Sequence, residues 1–378
     1  MTRLPDFRLE TYFSRWEFAA RFHLTASDAE SVTVAELLAM ASPADRAAFE
    51  GLRLGYTETF GAPDLREAIA ATYEQRSAGD ILCFMGAEEG VYATMHALLE
   101  ARDHAVVVTP NYQSLETVPL SICAVTGVPL DPDDGWSLDI DRVAAAIRPS
   151  TRLISINFPH NPTGKILERD RFDALIALCR ARGLWLFSDE VYRPLGPEGA
   201  VNLPQAADVY ERGISLGVMS KAYGLPGLRL GWIACTDRDL LQRVERVKHY
   251  LSICNAGPSE RLAVIALRAR ERILARNRRL VTDNLALLDA FFAEHAALFE
   301  WRRPDGGCVA YPRYLGRDGV EAFTARLVET AGVLLLPSSI FQSALCPTPT
   351  DRFRIGCGRA GLAEGLAAFR AYLQREAA

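Results

Sequence analysis

The chain has 378 residues, of which 49% are hydrophobic and 24% charged, and it carries a formal net charge of −5. That length exceeds one ordinary domain and suffices for a large core, while no apolar run is long enough to span a bilayer. A mildly acidic balance without a basic cluster gives no electrostatic footprint for nucleic acid, so a small molecule is the expected ligand.

In chain order, residues 1–21 mix charges and aromatics and lack the basic start and apolar stretch of a signal peptide, which predicts a cytoplasmic protein. From residue 45 to 270 apolar runs alternate with amphipathic ones. Val106-Val107-Val108, Leu153-Ile154-Ser155-Ile156 and Leu184-Trp185-Leu186-Phe187 stop within a few residues at Pro, Asn or Asp, as buried parallel strands do. Residues 172–178, between two of these runs, have the 3.6 spacing of a helix. The rhythm predicts a mostly parallel sheet with helices on both faces. A charged amphipathic segment, 273–298, then leads to further strand-like pieces and a closing helix at 362–373, a second and smaller domain. Residues 346–350, with two prolines, read as an ordered loop. The eight cysteines lie far apart with no C-x-x-C pair, so they read as small core residues, and no metal site is expected.

Four stretches carry chemistry. Gly86-Ala87-Glu88-Glu89-Gly90 separates a strand-like run from a helical one, and amide N–H groups at a helix start reached through glycine make a phosphate site. Asn157-Phe158-Pro159-His160-Asn161-Pro162-Thr163-Gly164 follows a predicted strand and places Asn161 at the carboxyl edge of the sheet, where open α/β sheets bind ligands; His160 reads as a turn residue. Ser188-Asp189-Glu190-Val191-Tyr192 ends the next strand. In the run Ser220-Lys221-Ala222-Tyr223-Gly224-Leu225-Pro226-Gly227-Leu228-Arg229-Leu230-Gly231-Trp232, a lysine beside a hydroxyl precedes a Gly/Pro turn and an arginine. That order suits an aldehyde held as an imine on Lys221, with Ser220 and Arg229 available to a phosphate.

This last run resembles the lysine motif of the class I/II aminotransferases, the fold type I enzymes that depend on pyridoxal 5′-phosphate (PLP), and the other stretches follow in that family's order over nearly the whole chain. The resemblance implies an α/β fold, a mostly parallel sheet sandwiched by helices, plus a smaller α+β domain. It implies an N-terminal segment (1–44) packing near the active site and joining the small domain, a large PLP-binding domain (45–270) and a small domain (271–378). By the same resemblance PLP is held on Lys221 as a Schiff base, in a loop formed by Gly86, Ala87 and Glu88 and by Ser220 and Arg229. Asp189 keeps the ring nitrogen protonated so that the ring accepts electrons from the substrate Cα. Asn161 and Tyr192 share the phenolic oxygen, and Tyr112, after Asn111, stacks on the ring. Tyr56, in Leu54-Gly55-Tyr56, reaches the phosphate of a neighbouring subunit, which implies a homodimer with sites at the interface. Arg354, in Phe353-Arg354-Ile355-Gly356, pairs with the substrate α-carboxylate, leaving Arg352 and Arg359 as surface charges, and Pro304-Asp305-Gly306-Gly307 fits a small-domain turn.

Three positions leave the family pattern. Glu88 stands where Ser or Thr is common, so its carboxylate is expected to turn away from the phosphate, and Val218 replaces a hydroxyl three residues before Lys221, which predicts a weaker cofactor grip. Residues 22–37 resemble, in the Ser27, Thr33, Glu36 and Leu37 pattern, the start of capreomycidine synthase-like members, which cyclise a hydroxylated arginine, but Asp28 and Glu30 replace Gly and His there. Those two carboxylates read either as helix-start decoration or as contacts to a cationic or polar substrate side chain. The expected activity is therefore that of an aminotransferase acting on an L-amino acid and a 2-oxo acid through a quinonoid. The alternative is a PLP-dependent cyclase or lyase on a modified, arginine-derived amino acid. A non-enzymatic effector-sensing domain, the third class, is disfavoured because no winged-helix segment precedes the first motif.

Overall fold

The computed structural model describes residues 4–197, 199 and 202–376, so the outermost ends of the expected first and last segments, residues 1–3 and 377–378, lie outside the described residues. Its centre is a seven-stranded sheet in the spatial order Ile81–Phe84, Gly231–Ala234, Gly213–Val218, Trp185–Asp189, Thr151–Asn157, His104–Thr109 and Ala124–Pro129. Six strands run in one direction, and Gly231–Ala234 alone is antiparallel to both neighbours. The apolar runs become strands because both of their faces are covered. Leu153, Trp185 and Phe187 enter one core and Ile154, Ile156, Leu184 and Leu186 the other, which is the two-residue alternation of a strand buried from both sides.

Helices supply the covers. In Arg169–Arg182 the residues Phe172, Leu175, Ile176 and Cys179 form the buried stripe, and Gly183 ends the helix in the left-handed region at φ 63°. On the opposite face, Val91 and Met95 of Ala87–Leu98 pack into the first core.

The predicted segment 273–298 is a 25-residue helix, Arg270–Glu294, and the closing helix is Leu362–Glu376. Between them lies a three-stranded antiparallel sheet in the order Val309–Ala310, Phe353–Gly356, Leu336–Pro337. Phe291, Phe299, Phe353 and Phe369 make an aromatic core, with Phe299 and Phe353 edge to face at 5.8 Å. Because side chains alternate along a strand, Phe353 inside this core sends Arg354 to the opposite side. The chain's beginning is tied to the same region: Phe22–His23 pairs in parallel with Val333–Leu334. All eight cysteines are free, and six of them are buried. Among the described residues no helix is long and apolar enough to cross a membrane.

Candidate active site

Asn157, Asp189 and Val218 end three neighbouring strands on the carboxyl edge of the sheet, and a cavity of about 410 Å³ opens there. Lys221 follows the last of these strands. Its loop is held at several points, by Met219 N–H to the Leu230 carbonyl (2.9 Å), Ala29 N–H to the Lys221 carbonyl (3.1 Å) and Asn277 Nδ2 to the Ala222 carbonyl (2.8 Å). Gly224 has φ +66°, and a Cβ there would stand 2.6 Å from the Glu30 carbonyl, so only glycine lets segment 25–31 lie this close. Lys221 Nζ donates to Ser27 Oγ at 3.0 Å and lies 6.0 Å from the Tyr192 ring centroid. Burial lowers the amine's pKa, against the opposing pull of Asp28, and so favours the neutral, nucleophilic form.

Across the cavity, Asp189 accepts one hydrogen bond, from Val191 N–H at 3.2 Å. Burial pushes its carboxyl up to about 7, which that bond and the Lys221 charge only partly offset. Asn157 sets the neighbouring turn: its Nδ2 donates to the Asp189 carbonyl (3.0 Å) and its Oδ1 accepts from Asn161 N–H (2.9 Å). The Tyr192 hydroxyl is buried and makes no hydrogen bond, although Ser27, engaged by Lys221, is near enough to influence its ionisation. Tyr112 forms another wall, its ring 5.2 Å from that of Phe7, while Asn111 Nδ2 turns back to the Val108 carbonyl at 2.8 Å. His160 spends both ring nitrogens on Thr163 Oγ1 and the Pro110 carbonyl, each at 2.8 Å, and burial pushes it down to about 4, so it serves the turn.

One end of the cavity is built for an anion. Gly86, at φ +95°, precedes the helix Ala87–Leu98, and a Cβ on it would meet Arg229 Nη2 at 2.7 Å; the guanidinium rests on the bare Cα beside the helix N-terminus. Arg229 itself has φ +47°, uncommon outside glycine, and is held by its N–H to the Pro226 carbonyl at 3.2 Å. Ser220, Ala87 and Val218 line the same end. Glu88 also lines the cavity, and its carboxylate accepts from Ser114 Oγ at 2.9 Å. Partial burial, with smaller contributions from Asp189 and Glu10, pushes it up to about 7. An amine, a strand-end carboxyl, an unpartnered tyrosine hydroxyl and a cationic cradle around one cavity fit a flat aromatic aldehyde bearing a phosphate.

The residues expected around the substrate divide. Arg354 is fully enclosed and stands behind Asn161, donating through Nη1 to Asn161 Oδ1 (3.0 Å) and through Nη2 to the Thr25 carbonyl (2.8 Å), while Nε has no partner. Asp28 lines the cavity but is held in two hydrogen bonds by Arg359, at 3.0 and 2.8 Å. Arg359 is thus no simple surface charge, and neither is Arg352, which is buried over Trp136 and donates to the Tyr311 carbonyl at 3.3 Å. Glu30 is not brought to this cavity. Its carboxylate accepts from Ala360 N–H at 2.7 Å on the wall of a neighbouring cleft, because its backbone is tied to Gly358 and to Arg276. Tyr56 is 93% exposed and touches nothing in its own chain's cavity.

Residue-by-residue reading missed Ser27 and Asn157 as positioning groups, and also Glu10, Phe13, Glu17 and His23, all four of which line the cavity. The available signal was the i, i+3, i+7 spacing of Glu10, Phe13 and Glu17 along one face of the Arg8–Trp16 helix and its C-cap.

A model of the family described as aminotransferase class I and II matches residues 27–368. Capreomycidine synthase of Streptomyces vinaceus is 30% identical over 375 residues, covering 97% of this chain and 93% of that protein. Arginine–pyruvate transaminase AruH of Pseudomonas aeruginosa is 30% identical over 331 residues, 83% of this chain and 81% of its own. The crystal structure of a PLP-dependent aminotransferase from Streptococcus suis superposes with a TM-score of 0.92 at 28% identity, over 99% of both chains.

Proposed function

The chain belongs to the class I and II aminotransferase family, whose members are PLP-dependent transferases, and we propose that it moves the amino group of an L-amino acid to a 2-oxo acid. The observation that carries the reading is Lys221 Nζ, a half-buried amine held by Ser27 and kept toward neutrality in the same cavity as the Asp189 carboxyl and the Tyr192 hydroxyl.

Bound PLP supplies the aldehyde carbon for an imine and a ring that accepts the electron pair released at the substrate Cα. Lys221 is the covalent attachment point, and its amine, once displaced by the substrate's, takes the Cα proton and returns it. Ser27 Oγ, 3.0 Å from Nζ, orients that amine. Asp189 would face the ring nitrogen, where a bound proton would give this poorly solvated carboxyl a positive partner. Asn161 and Tyr192 offer an amide N–H and a hydroxyl to the phenolic oxygen. Gly86, Ala87, Ser220 and Arg229 would hold the phosphate by backbone amides, hydroxyl and guanidinium. The substrate α-carboxylate takes the place on Arg354 that the Thr25 carbonyl occupies, so binding draws on movement of segment 25–31. The exposed Tyr56 completes the phosphate site of a second copy in a homodimer.

A cyclase or lyase is the second reading, favoured by similarity to capreomycidine synthase over 97% of the chain. Holoenzyme incubated with an amino acid and no acceptor separates the two. Transamination yields one 2-oxo acid per active site and then stops until a 2-oxo acid is added. Continuous turnover without acceptor, with a ring-closed or unsaturated product, refutes the aminotransferase reading and supports the cyclase or lyase.

A further inference from the structure

The N-terminal helix Arg8–Trp16 lies across the cavity mouth, and its attachment is specific: Leu9 is buried, Arg8 N–H donates to Gln113 Oε1 (2.9 Å), Gln113 Nε2 to the Asp6 carbonyl (2.8 Å), and Tyr12 Oη to the Leu335 carbonyl (3.3 Å). Anchored this way, the helix turns Glu10 and Phe13 toward the site, and its C-cap adds Glu17.

The charges that line the cavity can be assigned one by one. Arg229 rests on Gly86 beside the helix N-terminus, Glu88 accepts from Ser114 Oγ at 2.9 Å, Lys221 and Asp189 belong to the proposed reaction centre, and Arg359 is held by Asp28. Glu10 and Glu17 are left over: among the described residues neither carboxylate has a hydrogen bond or an ion pair. Burial raises the pKa of Glu17, the negative charge of Glu10 adds to it, and Arg359 partly opposes it. A separate feature also points to a ligand. The buried His23 Nε2, on a residue that lines the same cavity, has no hydrogen-bond partner among the described residues. His23 is kept neutral by burial and by Arg359, and the Phe13 ring, 5.5 Å from that of His23, offers an apolar wall.

We propose that Glu10 and Glu17 select an amino acid whose side chain ends in a cation, an ammonium or guanidinium group carried on an apolar stem against Phe13. This selection rests on the PLP-dependent amino acid chemistry proposed above and names its substrate class. It transfers the role first expected of Asp28 and Glu30 to two residues of the preceding helix, because Asp28 is neutralised by Arg359 and Glu30 lies outside the cavity.

Arginine against citrulline, nearly equal in shape but different in charge, is the decisive pair, with lysine against norleucine as the second. Affinity for the holoenzyme is measured by titration, so preference is read whether or not the ligand turns over, and product formation is followed separately. Two charge-assisted contacts predict at least roughly 100-fold tighter binding of arginine than citrulline, and Glu10→Gln with Glu17→Gln should cut that ratio by roughly tenfold per site. The loss should appear in KM for the cationic substrate more than in kcat. Equal binding of arginine and citrulline by the unaltered protein overturns the proposal, as does a double variant that keeps the full ratio. Preference for arginine without any amino acid being processed would instead refute the reaction while leaving the selection in place.

Discussion

Replacing Asp189 by Asn should stabilise the protein when PLP is absent and weaken it when PLP is bound. Asp189 is 6% exposed, accepts one backbone hydrogen bond, and is pushed from an ordinary 3.8 up to about 7. A folded-state pKa above the unfolded value means that the neutral carboxyl is the stabilised form. Its contribution is complete below about pH 4 and is lost as pH rises through about 7. Roughly three units at about 1.36 kcal/mol each set an upper bound of about 4 kcal/mol, and water reaching the cavity lowers the expected value to about 2–4 kcal/mol. Asparagine keeps the shape and the acceptor oxygen and does not titrate. Urea unfolding of the two apo proteins should therefore agree near pH 4 and diverge toward about pH 8.5, with the Asn variant the more stable. With PLP the order should reverse, because the ring-nitrogen proton loses its counter-charge, and turnover should fall by roughly 100-fold or more. A pH-independent stability difference, or an Asn variant no more stable at alkaline pH, would refute the burial account of Asp189.

Three further outcomes are expected. Arg354→Lys keeps the charge but loses the planar fork, so KM for amino acids should rise by roughly 10- to 100-fold while an amine without a carboxylate is little affected; equal losses for both would point to a packing defect. Burial pushes Glu88 up to about 7 beside the helix N-terminus proposed to hold the phosphate, so Glu88→Gln should tighten PLP retention on dialysis at about pH 8.5 and change it little at about pH 6, and an equal effect at both would contradict that placement of the phosphate. If Tyr56 serves the partner's site, mixing a Tyr56→Phe chain with a Lys221→Ala chain gives hybrid dimers with one intact site, and PLP imine absorbance should return; with Tyr56 acting in its own chain, every site carries a lesion.

Much of the candidate site was legible from residue order alone. Lys221, Asp189, Asn161 and the Gly86 turn each sit at the end of an apolar run, and in a parallel sheet all such ends fall on one edge. Short local patterns sufficed because each group is placed by its own strand and turn. Partners far apart in the chain were not legible. Arg354 meets Asn161 across 193 positions and Arg359 meets Asp28 across 331, and nothing local to either arginine distinguishes a buried pair from a surface charge.

The face a residue occupies follows from periodicity, whereas the element which that face meets follows from how the chain closes on itself. The sequence by itself determined the cofactor class and the sheet edge that carries it, since both are written in contiguous motifs. Only the tertiary structure decided that Asp28 is neutralised, that Glu30 lies outside and that Glu10 and Glu17 stand at the mouth. Those outcomes depend on where the N-terminal helix docks, set by long-range bonds to Gln113 and Leu335 that no local pattern encodes.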